Sequence, residues 1–91
     1  MKKMDNLPPS PYQLEQARKF RVIVGDDLNV DDFDETLQND EALELWDNIA
    51  ANEYERQGGE FKQDDPNEPT DSRLFEDCQK YATDLICELT L

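Results

Sequence analysis

Apolar side chains recur every three or four residues in three long stretches of the chain, which is the spacing of an amphipathic α-helix. The first stretch follows Ser10, a residue type that often caps a helix. Pro11 fits the first helical position, and Gln13 completes a capping-box pattern. Gly25 is placed to end the helix in a left-handed conformation. The pattern predicts a helix over residues 11–24. Its apolar positions are Leu14, Ala17, Phe20 (or Arg21) and Val24.

The segment 20–24 allows a second interpretation, because it is rich in β-branched residues, which favour strands. A strand needs a partner strand, and the sequence contains no second run of this kind. A strand here would therefore have to pair across a homodimer. We favour the helix, and the strand remains an open alternative. A homodimer formed through the first helix, which would bury more apolar area, also remains open.

Two further stretches predict long helices, and one predicts a short helix. The helix at 40–57 begins after Asn39 or Asp40, either of which can cap it, and ends before two glycines. The helix at 71–89 has a wide apolar face, as expected of the helix that seats the core. A short helix is expected near 30–38. The apolar positions are Val30, Phe33 and Leu37 in the short helix; Leu43, Trp46, Ile49, Ala50 and Tyr54 in the next; and Leu74, Phe75, Cys78, Tyr81, Ala82, Leu85, Ile86 and Leu89 in the last.

These elements predict an all-α fold, a small helical bundle around one core. The 91 residues suffice for one domain. We expect a flexible N-terminal arm at residues 1–9 and a single acidic helical domain at residues 10–91. The polar loop before the last helix has Phe61 as its candidate anchor to the core. Trp46 is expected in the core, whereas Tyr54 could serve either the core or an interface.

Two cysteines, Cys78 and Cys87, lie nine residues apart on the last predicted helix and therefore on roughly opposite faces. We expect free thiols in a reducing cytosol. The first residues include lysines but no following apolar run, and no stretch approaches the roughly 20 apolar residues that cross a bilayer. The sequence therefore predicts a cytoplasmic protein.

Charge narrows the range of functions. The chain has 23 acidic and 9 basic residues and no histidine, for a formal net charge of -14. Residues 1–25 hold five bases and two acids, whereas residues 26–91 hold four bases and 21 acids. The lack of histidine excludes an imidazole general base and a histidine-containing zinc site. Because so acidic a surface repels phosphate, we expect no direct binding to nucleic acid or to an anionic membrane, and a basic protein as partner.

The acidic residues concentrate in the middle of the chain. Six of the ten residues at 26–35 are acidic, and Asp40, Glu44 and Asp47 share one face of a predicted helix. Like charges at this spacing cost an isolated helix about 0.2–0.5 kcal/mol per pair, so folding alone does not require the pattern. The last helix instead alternates acids with bases. We predict that the following residues bind the partner: Asp26, Asp27, Asp31, Asp32, Asp34, Glu35, Asp40, Glu44 and Asp47.

Carboxylates on adjacent helical turns lie roughly 5–6 Å apart, which is close to the spacing of phosphates along one strand of nucleic acid. The acidic stretch therefore predicts a non-catalytic inhibitor of the DNA-mimic type, which blocks the nucleic-acid site of a basic protein. Three alternatives remain open. The acidity could serve solubility alone, the chain could be an antitoxin or immunity-type partner of a basic toxin, or it could be a small helical adaptor or assembly protein.

No motif indicates catalysis or a cofactor. Asp27, Asn29 and Asp31 match the first ligand positions of a calcium-binding EF-hand loop, but Asp32 stands where that loop needs glycine and Gln38 where it needs glutamate. We expect no enzyme activity, no metal site and no cofactor. In size and charge the chain resembles the small phage proteins that inhibit host defence, such as anti-CRISPR and anti-restriction proteins. This class-level resemblance rests on no shared motif and implies no residue role.

Overall fold

The computed structural model describes residues 8–25 and 30–89. A 3₁₀ turn at Val30–Asp32 leads into the short second helix. Within the described residues the only β-structure is an isolated bridge between Phe61 and Pro69. The predicted all-α bundle of three main helices and a short one is confirmed. The helices are α1 (Pro11–Val24), α2 (Phe33–Thr36), α3 (Asp40–Arg56) and α4 (Ser72–Glu88).

Local signals in the sequence account for the helix ends. Ser10 and Gln13 form the predicted capping box, in which Ser10 Oγ accepts the Gln13 N–H at 3.2 Å and Gln13 Oε1 accepts the Ser10 N–H at 3.0 Å. The side chains of Asn39 and Asp71 cap α3 and α4 in the same way, by accepting backbone N–H groups of the first turn. Gly25 follows α1 with φ at 86°, a conformation that favours glycine.

The central helix is α3, which packs against both α1 and α4. It runs antiparallel to α1: Gln13 contacts Glu53 near the end of α3, whereas Gln16, about one turn further along α1, contacts Asn48. The segment 20–24 is helical and packs one of its faces on the core, so the alternative of a strand there is wrong.

On its other side α3 runs antiparallel to α4. Trp46 Nε1 donates to Thr83 Oγ1 at 3.1 Å, and at the opposite end Tyr54 Oη accepts the backbone N–H of Asp71 at 3.1 Å. The predicted stripe of α3 packs on the core except at its first member, which lies in the first turn of the helix and is not covered. Leu43 is 41% exposed, so its assignment to the core was wrong. The buried apolar residues of α3 are Ala42, Leu45, Ile49, Ala50 and Tyr54.

Aromatic contacts attach the connecting segments to the bundle. Phe33 of α2 is buried; its ring stacks on Phe20 with centroids 5.3 Å apart and lies 6.4 Å from the ring of Trp46. In the loop between α3 and α4, Phe61 packs edge-on against Tyr54 at 5.1 Å, as expected of the loop anchor. Tyr54, left open between core and interface, is fully buried in the core.

Candidate functional site

The outer face of α3 displays three exposed carboxylates in a row, Asp40, Glu44 and Asp47. Separations of four and three residues place them on one side of the helix, with a rise of about 6 Å and about 4.5 Å between them. The buried side chains of the same helix are packed against α1 and α4, so the row is held on the surface. These three residues are called the acidic ridge below.

Within residues 8–25 and 30–89, no side chain neutralises the carboxylates of the acidic ridge. In that part of the chain, none of them accepts a hydrogen bond or lies within 4.0 Å of a basic group. Their negative potential is therefore directed at solvent, where a cationic surface can meet it. Ion pairs elsewhere include Lys19 with Glu15 at 3.9 Å, Arg56 with Glu53 at 3.2 Å and Lys62 with Glu68 at 3.1 Å.

The carboxylate of Asp47 is disfavoured by its surroundings. Neighbouring atoms partly desolvate it and raise its pKa above the ordinary value of 3.8. A raised pKa means that the folded protein favours the neutral acid, so the charged form at neutral pH costs folding free energy. The charged form of Asp47 therefore lowers the stability of the isolated fold at neutral pH.

The other predicted partner-binding residues precede the ridge along the chain. Phe33 is buried among them, and it fixes α2 on the bundle while the neighbouring carboxylates remain exposed. They belong to a separate short element that precedes α3. The exposed acids of the 3₁₀ turn and α2 are Asp31, Asp32, Asp34 and Glu35, whereas Asp26 and Asp27 lie outside the described residues.

A groove between α1 and α3, which the sequence reasoning missed, borders the ridge. Its volume is about 380 Å³. Glu44 belongs to both the groove and the ridge, so the two form one continuous surface. Val22 is 78% exposed. It is an apolar residue outside the predicted apolar positions of α1, and this was the one feature of the sequence that could have indicated the groove. The groove is lined by Lys19, Val22 and Ile23 of α1 and by Glu41, Glu44 and Leu45 of α3.

A smaller depression of about 210 Å³ lies between the same two helices, toward the start of α1 and the end of α3. Because Asn48, Ala51 and Glu55 follow Glu44 at spacings of three and four residues, both hollows open on the same face of α3. Asn48 Nδ2 donates to Gln16 Oε1 at 3.1 Å and ties the two helices together. The depression is lined by Tyr12, Asn48, Ala51, Asn52 and Glu55.

A buried polar cluster lies on the inner side of α3 and consists of Gln13, Glu53, Arg56, Gln57 and Tyr81. Glu53 is 3% exposed, and its carboxylate accepts from Gln13 Nε2 at 3.1 Å, Arg56 Nη1 at 3.2 Å and Gln57 Nε2 at 2.9 Å. Gln13 Oε1 accepts from Arg56 Nη1 at 2.7 Å and from Tyr81 Oη at 3.0 Å. The cluster satisfies a buried charge and links three helices. Neither hollow is lined by it, so we assign it a structural role.

Both cysteines are free thiols, Cys78 buried and Cys87 half-buried. Burial raises the pKa of Cys78 to about 11, and the carboxylates of Glu53 and Asp77 add to the rise, so this thiol is protonated at neutral pH.

Within residues 8–25 and 30–89, no group of three or more cysteine, aspartate or glutamate side chains is arranged so that it could hold a metal ion. No helix in these ranges combines the length and apolarity needed to cross a membrane. No protein-family model matches the chain, and no curated protein or solved structure matches it.

Proposed function

We propose that the protein is a non-catalytic inhibitor that binds a basic, nucleic-acid-binding protein and covers its nucleic-acid site. The acidic ridge is the observation that carries the proposal: three exposed carboxylates on one helix face, with no basic group within 4.0 Å of them in the described part of the chain. A cleft that holds phosphates with lysine and arginine is the complementary surface. The protein acts by occupying that cleft, and no bond is made or broken.

The charge density of α3 supports this function. Its exposed acids extend over residues 40–55, a rise of about 22 Å, so the helix averages one carboxylate per about 5–6 Å, with four of the five within about 10 Å. One DNA strand offers a phosphate about every 3.4 Å along the axis. The outer face of α3 thus reaches roughly 60% of the linear charge density of a single strand, before the acids of α2 are counted. The five residues are Asp40, Glu41, Glu44, Asp47 and Glu55.

The rigidity of the ridge also favours binding. Buried neighbours hold α3 against α1 on one side and α4 on the other, so the spacing of the carboxylates is set before a partner arrives. A preorganised surface loses little conformational entropy on association. In this proposal the target is an enzyme of host defence, such as a CRISPR effector or a restriction enzyme, and the protein acts in the cytoplasm.

The test is a comparison of two triple variants that remove the same charge from different helices. The target is first captured from host lysate at low salt, and its dissociation constant is then measured. Neutralising the ridge with Asp40→Asn, Glu44→Gln and Asp47→Asn is expected to weaken binding roughly tenfold to hundredfold, because close charge pairs at an interface are lost. The matched control on α4 is Glu76→Gln, Asp77→Asn and Asp84→Asn, all exposed in the folded protein, and a change below about threefold is expected.

Salt and nucleic acid complete the test. Binding should weaken steeply as salt rises, and excess duplex DNA should compete for the target. Equal losses from the two triple variants would show that net charge, and not the ridge, governs binding. Binding that depends on the ridge but is indifferent to DNA would indicate a site away from the nucleic acid, as for an immunity-type partner of a toxin.

A further inference from the structure

We propose that the groove between α1 and α3 receives a basic amphipathic helix of the partner protein. The apolar side chains of that helix enter the two hollows, and its cations face the acidic ridge. This inference rests on the proposed function and names the element that the partner presents. It also supplies what the ridge lacks, because exposed charges mainly accelerate association whereas apolar contacts prolong the complex.

The floor of the groove is apolar. Val22 is 78% exposed on a helix where serine or lysine would serve the fold equally well. Beside it, half-buried Ile23 and Leu45, which is 9% exposed, continue the apolar surface inward. The volume of about 380 Å³ lies within the range of clefts that take a ligand. The groove can therefore receive one or two aliphatic side chains.

The charge of the walls selects a cationic occupant. Glu41 and Glu44 form the α3 wall, whereas the α1 wall offers Lys19, whose Nζ already lies 3.9 Å from Glu15 Oε2. The lining is thus negative overall, so an aliphatic side chain flanked by arginine or lysine fits better than one flanked by acids. A second copy of this chain fits poorly, because two molecules with a net charge of -14 repel one another.

The spacing of the two hollows fits a helix. Leu45 lines the larger hollow and Asn52 the smaller one, so seven residues of α3 separate them, a rise of about 10 Å. Side chains at positions i and i+7 of a second helix lie on one face and are also about 10 Å apart. A helix laid along α3 would therefore place one anchor in each hollow, and in the smaller one an aliphatic anchor would find its apolar surface at Tyr12 and Ala51.

The test uses three synthetic alanine-based helical peptides as probes, each rich in arginine. The first has two leucines seven residues apart, the second has the same composition with the leucines five residues apart, and the third has serines in their place. Each is titrated into the isotopically labelled full chain and followed by NMR. The first peptide should bind roughly threefold to tenfold more tightly than the others, because both its leucines leave water together. At equal peptide concentration it should also shift the methyl signals of Val22, Ile23 and Leu45 the most.

A matched pair of variants links this preference to the groove. Val22→Ser should remove the advantage of the first peptide, with Val22→Ala as the second choice if the serine variant has a lower melting temperature. Leu43→Ser is the control, because Leu43 is an exposed apolar residue of α3 outside the groove. It should leave the preference intact. Loss of the preference in both variants would overturn the assignment to the groove.

The remaining outcomes separate this inference from the proposed function. Equal binding of the three peptides, or no shift of the groove signals, overturns the groove; if that binding still weakens with salt and on neutralising the ridge, the proposed function stands. If the first peptide keeps its leucine preference and its affinity does not fall at high salt or on neutralising the ridge, the groove is supported and the acidic-ridge function is contradicted. A dimer in sedimentation analysis that Val22→Ser dissociates would assign the groove to a second copy and overturn the proposal.

Discussion

Helix α3 contains two kinds of carboxylate, one buried and the others exposed. In the buried polar cluster, Glu53 is 3% exposed and accepts hydrogen bonds from three side chains. On the acidic ridge, Asp40, Glu44 and Asp47 are exposed and have no such donor within the described ranges. The fold therefore supplies hydrogen-bond donors to the buried carboxylate and, within the described ranges, none to the carboxylates of the acidic ridge.

Helix α4 shows that a long helix of this bundle does not need a row of carboxylates like the acidic ridge. Both long helices have 17 residues and both pack in the core. Six acids and one base give α3 a net charge of -5, whereas four acids and two bases give α4 a net charge of -2. Both helices contribute residues to the core, with different charge. The excess on α3 is what the proposed function expects, and the comparison predicts which substitutions harm the fold and which do not.

The largest effect is expected from Glu53→Ala. The substitution leaves the side-chain amides of Gln13 and Gln57 without their acceptor and removes the ion-pair partner of Arg56, which keeps Gln13 Oε1 as an acceptor, and we expect a loss of about 2–4 kcal/mol in the free energy of unfolding. The lower part of that range reflects the Arg56 side chain, which is 22% exposed and can turn toward water. Urea unfolding followed by circular dichroism measures the change.

The control for that measurement is Glu55→Ala, two residues further along the same helix. Glu55 is exposed and has no side-chain partner in the described part of the chain. Its removal should change the free energy of unfolding by less than about 0.5 kcal/mol. If the two variants were equally stable, the distinction between inner and outer carboxylates would fail.

A smaller loss is expected from Tyr81→Phe, which removes the hydrogen bond from Tyr81 Oη to Gln13 Oε1 and should cost about 0.5–1.5 kcal/mol. Burial raises the pKa of Tyr81 above 10.0, and Glu53 raises it further, whereas Arg56 opposes the rise. Folding thus favours the protonated phenol. The stability that Tyr81 provides is complete below its unfolded pKa and is lost as pH rises through the folded one.

The measurement is urea unfolding of both proteins between about pH 8 and pH 11. The wild-type protein should be the more stable one at the lower end, and its advantage over Tyr81→Phe should shrink as pH rises. An advantage that stayed constant over this range would contradict the role of the phenolic proton in the cluster.

Much of the fold follows from signals that lie close together in the sequence. The capping box of Ser10 and Gln13, the glycine at position 25 and the apolar face of α4 each involve residues a few positions apart. The row Asp40, Glu44 and Asp47 is predictable for the same reason, since helical geometry alone places it on one face.

The features that the sequence did not reveal depend on how helices meet. Gln13 and Glu53 are 40 residues apart, and the capping role of Gln13 already explained its presence. Glu53 follows Ile49 by one turn on the buried side, a signal that was overlooked. Leu43 was misplaced because it lies in the first turn of α3, where its side of the helix is not covered, although Ala50 on the same side is buried. The groove exists only between two helices, so neither sequence segment predicts it.

The smallest effect, and the one of opposite sign, is expected from Asp47→Asn. Desolvation raises the pKa of this carboxyl above 3.8, so folding favours its neutral form; that contribution to stability is present at low pH and is lost as pH rises through the folded pKa. At neutral pH the ionised carboxylate of Asp47 is therefore unfavourable in the native protein, and repulsion from Glu44, one turn away, adds to this cost. Removing it should stabilise the fold by about 0.2–0.5 kcal/mol at pH 7 and by less near pH 3.

The control is Asp84→Asn on α4, where Lys80 stands four residues away, so neutralisation should leave stability unchanged or slightly lower it. Asp47→Asn should at the same time weaken binding to the captured target, whereas Asp84→Asn should not. Urea unfolding at the two pH values and a dissociation constant for each variant decide the matter. If Asp47→Asn is more stable but binds less well, the charge of Asp47 serves binding at a cost in stability. If the variant is less stable, or binds equally well, Asp47 is not part of the binding surface.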